Sequence, residues 1–477
     1  MRPAGAQATA PGPRGRPSPG SAQRPPAARK TSPLDYLIQN CADPLTAAFP
    51  SRQFIVPWQG CTPVPEPEAA ATLEHVFGTP RREPAVAYVH VPYCQNHCLF
   101  CGFFQNVWRP EASSAFVDDV IAELERLADT PLVSSSPVEA IYIGGGTPSA
   151  LAAGDLARLV GALRRYLPTS PDCEITLEGR VFDFGLAKAQ AALDAGANRI
   201  SLGIQTFDTG VRRRLGRKTT GEEARAFLAD LLALNRAPIG CDLIYGLPGQ
   251  DLAVWQADIE TVSELGLDGV SLYALNIWPG GPLAQAIGGG KLGPAAELPF
   301  QARAYSAASE MLTARNWHQI SQAHFVSSAR ERNLYNRLVK AGADCLAFGP
   351  GAGGLAHGHR WRNVIDAEHR SALVAQGKMP IEGLSRMPRD HRARAAITAG
   401  LEAGLLDLAA VENEAPGFSG AAAPLFENWT QARLGNLEHG RFRTNPAGAF
   451  WITNLTNGLL AVLDQLATGQ TLKGQSA

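Results

Sequence analysis

The 477-residue chain is too long for one small core unless part of it is a barrel, and its 45% hydrophobic content leaves ample apolar material to bury. Its 43 basic and 44 acidic side chains nearly cancel, so no overall field would hold it on nucleic acid or an anionic membrane; a local basic pocket stays open. No apolar run reaches the length of a spanning helix, the N-terminus has no apolar signal core, and eight cysteines make no disulfide scaffold, so a cytoplasmic protein is expected.

Residues 1–30, rich in Pro, Ala and Arg with no acid, read as a disordered basic tail, which a linker extends to residue 50. The tail is Arg-rich like an organelle transit peptide, but its prolines would break the amphipathic helix that such a peptide needs. An extension over 51–84 contains "SRQFIVPWQGCTPVP". From Ala85 onward, apolar strand-like runs alternate with helical ones: "AVAYVHV" (85–91), "VEAIYIGG" (138–145), "EITLEG" (174–179), "RISLGIQT" (199–206), "IGCDLIYGL" (239–247) and "GVSLYAL" (269–275). Between them lie amphipathic stretches such as "SSAFVDDVIAELERLAD" and "GEEARAFLADLLALN". That alternation predicts an α/β fold, a parallel partial barrel over 85–365 with its chemistry at the C-terminal strand ends. Residues 366–477 read as a separate, mainly helical domain with one short hairpin around "RFRTNPAGAFWIT".

The stretch "YVHVPYCQNHCLFCGFFQN" places Cys94, Cys98 and Cys101 in a C-x3-C-x2-C spacing directly after the first strand. A closed zinc site takes four ligands, usually in two pairs, and His97 is badly placed to be the fourth in so short a loop. Three thiolates suffice for an iron-sulfur cluster with one open iron, which implies chemistry at that iron. His90 on the strand reads as a core residue and His97 as exposed. Cys41, Cys61, Cys173, Cys241 and Cys345 are scattered and read as small buried hydrophobes.

Further chemistry-bearing residues fall at strand ends. "YIGGGTPS" brings Gly144, Gly145 and Gly146 with Thr147 to the end of the second strand, where bare backbone lets a polar ligand approach. Glu178 ends the third strand, Gln205 the fourth with Arg217 beyond it, and Asp242 lies on the fifth. Each alone could be a capping or surface group; their appearance on successive strands argues otherwise.

Together "YVHVPYC…C…CGFF", "GGGTP", "TLE", "SLGIQTFD" and "DLIYGLPGQ" resemble the radical S-adenosylmethionine (SAM) enzymes of the oxygen-independent coproporphyrinogen oxidase branch, over about residues 85–355. The resemblance implies a (β/α)6 partial TIM barrel, a 4Fe-4S cluster on Cys94, Cys98 and Cys101, and SAM on the open iron. It assigns the aromatics Tyr88 and Phe100, the glycine motif Gly144 to Thr147, and the polar contacts Glu178, Gln205, Arg217 and Asp242 to cofactor binding.

Within the branch, "CGFF" and "TLEGRVFDF" depart from the oxidase pattern, which has "CGC" and an Asn-Pro pair, and Gly102 departs from the Asp that heme chaperones place there. "FIVPWQGCTPVP", "CGFFQN", "TLEGRVFDF", "LYALNIWP", "CLAFGPGAGG" and "GAFWITNL" resemble the anaerobic heme-degrading radical SAM methyltransferases. That resemblance implies heme as substrate, methyl transfer with ring opening to a linear tetrapyrrole, and release of iron. It also implies an electron donor such as a flavodoxin or a reduced nicotinamide system, and leaves room for a product- or heme-carrying protein. The alternatives are the oxidase itself and a heme chaperone or trafficking protein without turnover. Trp278, His324 and the loop at 347–354 are candidates to line the heme pocket; no residue is assigned a catalytic role.

Overall fold

The six apolar runs form six parallel strands, β1 (Ala85–Val91), β2 (Val138–Gly145), β3 (Thr169–Gly179), β4 (Arg199–Gln205), β5 (Ile239–Tyr245) and β6 (Gly269–Ala274). Each pairs with the next in chain order. The structure is a computed structural model that describes residues 32–468 apart from 40, 57, 103 and 183; the tail expected at 1–30 lies outside the described residues.

The crossovers carry helices α1 (Ala112–Leu127), α2 (Ala153–Tyr166), α3 (Gly185–Ala195), α4 (Thr209–Arg214) and α5 (Gly221–Leu234), α6 (Leu252–Leu265), and after β6 comes α7 (Leu298–Ala314). Their apolar stripes explain the arrangement: α2 buries Leu156, Leu159, Val160 and Leu163, the i, i+3, i+4, i+7 face of a helix laid on a sheet. At the start of α5 the Thr220 hydroxyl accepts from the Glu223 amide while the Glu223 carboxylate accepts from the Thr220 amide, so two otherwise unpaired donors are satisfied.

A seventh parallel strand, β7 (Asp344–Phe348), lies on the outer side of β1. Sequence pattern missed it because five residues lead straight into the glycine loop at 349–354. Beyond it β8 (Gly353–Ala356), β9 (His359–Asn363) and β10 (Ile381–Arg386) continue the sheet antiparallel. At the other edge His324–Val326 pairs antiparallel with β6. The sheet stays open between these edges, which makes it a partial barrel.

The sequence reading is corrected in three places. The division at 365/366 cuts this sheet, because β10 hydrogen-bonds to β9 and to Thr62–Pro63 of the N-terminal extension. Residues 33–50, read as linker, include the turn Pro33–Tyr36 and the helix Pro44–Ala47; Tyr36 is 2% exposed and its carbonyl accepts from Trp429 Nε1 at 2.9 Å. The hairpin near the C-terminus is Gly435–Glu438 with Arg441–Thr444; "NPAGAF" after it is helical, because Asn445 caps Gly448 and Pro446 occupies the first turn.

The rest of the C-terminal region is helical, with α8 (His391–Glu402), α9 (Phe418–Gln431) and α10 (Ile452–Thr468) around a three-stranded sheet. Its apolar side chains are continuous with the core of the barrel. Among the described residues no helix is long and apolar enough to cross a membrane.

Candidate active site

The cysteine loop leaves the C-terminal end of β1 and folds back over the barrel mouth. Cys94 and Cys98 are 5% exposed, Cys101 is half-buried, and all eight cysteines are thiols. Thr147, the last residue of the glycine motif, donates from Oγ1 to Cys94 Sγ at 3.2 Å. Burial pushes the Cys94 thiol up, and the Thr147 hydroxyl and Arg180 pull it back. At Cys98, Arg180 Nη2 approaches Sγ at 3.3 Å and Arg217 Nη1 at 3.9 Å. Arg180 is held in place by Asn96, whose Oδ1 accepts from the same Nη2 at 3.0 Å.

The glycines are required by crowding. A Cβ on Gly144 would stand 2.7 Å from Glu178 Oε2, and one on Gly146 would stand 2.6 Å from the Tyr93 carbonyl oxygen. Gly145 adopts φ +112°, a left-handed conformation that L side chains rarely accept. Its amide donates to Glu178 Oε2 at 3.3 Å, and the Tyr142 hydroxyl donates to Oε1 at 2.5 Å. Burial lifts Glu178 to about 7, helped by the nearby Asp242 and opposed by the bonds from Tyr142 and Gly145. Asp242 rises to about 6, chiefly from burial.

Tyr88, Tyr142 and Tyr335 stack against one another across β1, β2 and the segment before β7, with ring centroids 4.8–6.4 Å apart. Gln205 closes β4 with φ 73°, an uncommon conformation for a residue with a side chain and of the kind found at binding sites. Arg217 also donates to the Gly203 carbonyl on the same strand.

The fold thus links most of the predicted site residues. Cys94 meets Thr147, Cys98 meets Arg217, and Glu178 meets Gly145 and Tyr142 at the ends of β2 and β3, with Tyr88 midway along β1 stacked on Tyr142 and Asp242 midway along β5 close enough to act on Glu178. Phe100 is set apart, in an apolar cluster with Leu99, Val211, Leu215, Leu247 and Leu283. His90 is buried as expected, yet its Nε2 has no hydrogen-bond partner and its ring edge lies against Gly145. His97 is exposed. Among the scattered cysteines, Cys173, Cys241 and Cys345 are buried as expected, whereas Cys41 and Cys61 are only half-buried.

Sequence reasoning missed Arg180, Tyr142 and Tyr335. Arg180 had a signal, since it stands two residues after Glu178 in "TLEGRVFDF".

The three heme-pocket candidates separate. Trp278 is 51% exposed, stacks on Phe54 at 6.0 Å, and leaves no room for a side chain on Gly102 beside Cys101. In the glycine loop, Gly349 packs on the backbone of His90 and Gly351 on the side chain of Gln105. His324 is not at the mouth: it is 2% exposed, with Nε2 3.0 Å from Glu331, which also pairs with Arg199 at 2.7 Å. That buried network belongs to the barrel interior.

These residues fit a thiolate-held cluster and a polar cofactor. Two guanidinium groups stand ready to offset negative charge at Cys98, and buried polar atoms without partners, His90 Nε2 and Arg180 Nε, flank the cysteine loop. Among the described residues no three His, Cys, Asp or Glu side chains converge as a single metal ion would need. A cluster does not require that convergence, because each thiolate binds a different iron.

Residues 88–262 match the Radical SAM superfamily. An anaerobilin synthase from Escherichia coli O157:H7 is 39% identical over 88% of this chain and 93% of its own length. A heme chaperone, HemW, from Bacillus subtilis is 28% identical over 62% of this chain and 77% of its own. Among solved structures, the radical SAM enzyme coproporphyrinogen III oxidase from Escherichia coli superposes with a TM-score of 0.70 at 23% identity, covering 82% of this chain and 93% of that one. The partial barrel, its cysteine loop and this likeness along nearly the whole chain lead to one conclusion: the chain belongs to the radical SAM superfamily, alongside anaerobilin synthase, and its cofactors are a 4Fe-4S cluster and SAM.

Proposed function

We propose that this protein is a radical SAM C-methyltransferase that opens the heme macrocycle without oxygen, releasing iron and a linear tetrapyrrole. The observation that carries the reading is the 39% identity to an anaerobilin synthase over 93% of that enzyme. Cys94, Cys98 and Cys101 would hold the cluster. Gly144 to Thr147, Glu178, Gln205, Arg217 and Asp242 would hold SAM, with Tyr88 walling the site and Phe100 bracing the loop from its apolar side. When bound, the reduced cluster supplies the electron that cleaves SAM to methionine and a 5′-deoxyadenosyl radical.

The chain's own residues do the rest. Glu178 and Asp242 offer two carboxyl groups to the hydroxyl and ammonium groups of SAM, and Arg217 offers a cation to its carboxylate. The glycine motif gives backbone donors and acceptors without steric cost. Trp278 and Phe54 form a half-exposed aromatic platform beside Gly102, the flat apolar surface against which a macrocycle would lie.

The test is an anaerobic reaction of the cluster-loaded protein with dithionite, SAM and heme, followed by mass spectrometry. A methylated, iron-free, ring-opened tetrapyrrole formed together with 5′-deoxyadenosine is expected, and Cys98→Ala should abolish both. Heme recovered unchanged with no SAM consumed would transfer the reading to a heme chaperone.

A further inference from the structure

The run "RRRLGRK" (212–218), five cations in seven residues, is the densest basic stretch in a chain whose charges nearly balance overall, and it packs directly on the cysteine loop. The Leu99 amide donates to the Leu215 carbonyl at 3.2 Å, Asn96 Nδ2 donates to the Gly216 carbonyl at 2.7 Å, and Gly216 lies against the His97 carbonyl. Its cations divide by direction. Arg217, 7% exposed, reaches inward to Cys98, and the buried Arg212 ties down the ends of β4 through the carbonyls of Ile204 and Thr206. Arg213, Arg214 and Lys218 face solvent.

Of these outer cations, Lys218 rests over the Phe182 ring, 4.5 Å from its centroid, which leaves its charge in place. Among the described residues none of the three forms an ion pair, although sixteen such pairs exist elsewhere. The nearby acids are engaged in capping and turn bonds: Asp208 with the Val211 amide, Glu222 with Thr209 and Glu223 with the Thr220 amide. Exposed Lys291 extends the rim, sharing with Arg214 a cavity of about 400 Å³.

A 4Fe-4S cluster that reduces SAM must itself be recharged with one electron from outside the chain. The segment touches a cluster ligand on its inner side through Arg217 and carries exposed cations on its outer side, so it offers a covered route by which that electron can arrive. We infer that Arg213, Arg214 and Lys218 form the docking surface for a small acidic electron-transfer protein, a flavodoxin-like donor whose reduced flavin loses one electron to the cluster. No bond forms or breaks and no atom crosses the interface. This rests on the cluster being held at Cys94, Cys98 and Cys101, as proposed above. The rim sets encounter rate and orientation, because surface charges of opposite sign act mainly on association.

The experiment uses the full, cluster-loaded chain and follows bleaching of the cluster absorbance under anaerobic stopped flow, with reduced flavodoxin or with dithionite as reductant. In R213E/R214E/K218E the flavodoxin rate should fall at least tenfold at low ionic strength while the dithionite rate is unchanged; the glutamine triple variant should fall between. Added salt should slow the wild type, leave the glutamine variant nearly flat and speed the glutamate variant. A flavodoxin rate that survives the charge reversal, or an equal loss with both reductants, overturns the docking surface. Cluster reduction is read without heme, so failure of the heme-degrading function would not be mistaken for failure of this proposal.

Discussion

Glu178, near the end of β3, and Asp242, midway along β5, are two carboxyl groups inside one barrel, both screened from bulk water, and the charge of Asp242 acts on Glu178. Both are raised, Glu178 to about 7 and Asp242 to about 6. A raised carboxyl contributes stability that is complete below its ordinary value of 4.5 and is lost as pH climbs through about 7 for Glu178. A displacement of that size is on the order of 3 kcal/mol. The SAM-free Glu178→Gln variant should therefore match the wild type near pH ~5 and melt higher than it near pH ~8. A melting difference that does not change across that range would refute the assignment. A cationic ligand reverses the balance, because its positive charge favours the ionised carboxylates.

Arg180 is the other residue with a consequence of its own. A guanidinium 3.3 Å from Cys98 Sγ withdraws charge from a cluster ligand, and hydrogen bonds to cluster sulfurs are among the determinants of its potential. Arg180→Gln should leave iron content unchanged and move the midpoint potential to a more negative value, read by redox titration with electron paramagnetic resonance. An unaltered potential would mean that the side chain serves another group once the cofactors are bound.

At the scale of elements, the strands were legible because a parallel barrel buries both faces, which leaves continuous apolar runs such as "AVAYVHV" punctuated by glycine. The segment at 33–50 was not legible, since a four-residue turn and a four-residue helix carry no period to detect. Its order comes from distant partners. Asn428 on α9 accepts from the Ile38 amide at 2.7 Å and donates to its carbonyl at 3.0 Å, and the Tyr36 hydroxyl donates to Gln53 at 2.8 Å. Tyr36 also packs on Gly458 of α10 and cannot be shortened without a void. Tyr36→Ala should cost about 3 kcal/mol or more, measured as a shift of the urea midpoint. A cost within about 0.5 kcal/mol, the usual range of surface substitutions, would show that the segment is dispensable.

At the scale of the whole molecule, the apolar core runs without interruption from Tyr36 through the barrel to Leu463, so the N-terminal segment and the C-terminal helices share one interior. What the sequence determined by itself was the chemistry: three cysteines at a spacing that serves a cluster, glycines where a ligand must approach, and polar residues at the ends of strands whose order follows the chain. Those signals survive in one dimension because each depends on neighbours within a few residues, or on the rule that successive βα units lie side by side. Tertiary structure alone decided which side chains meet across the mouth. Arg180 comes from just beyond β3 to Cys98, Trp278 from the stretch after β6 to Gly102, and β10 from beyond residue 380 joins the barrel's sheet. It also decided that "RRRLGRK" turns two arginines inward and three cations out, since that division depends on a cysteine loop more than a hundred residues away being packed against it.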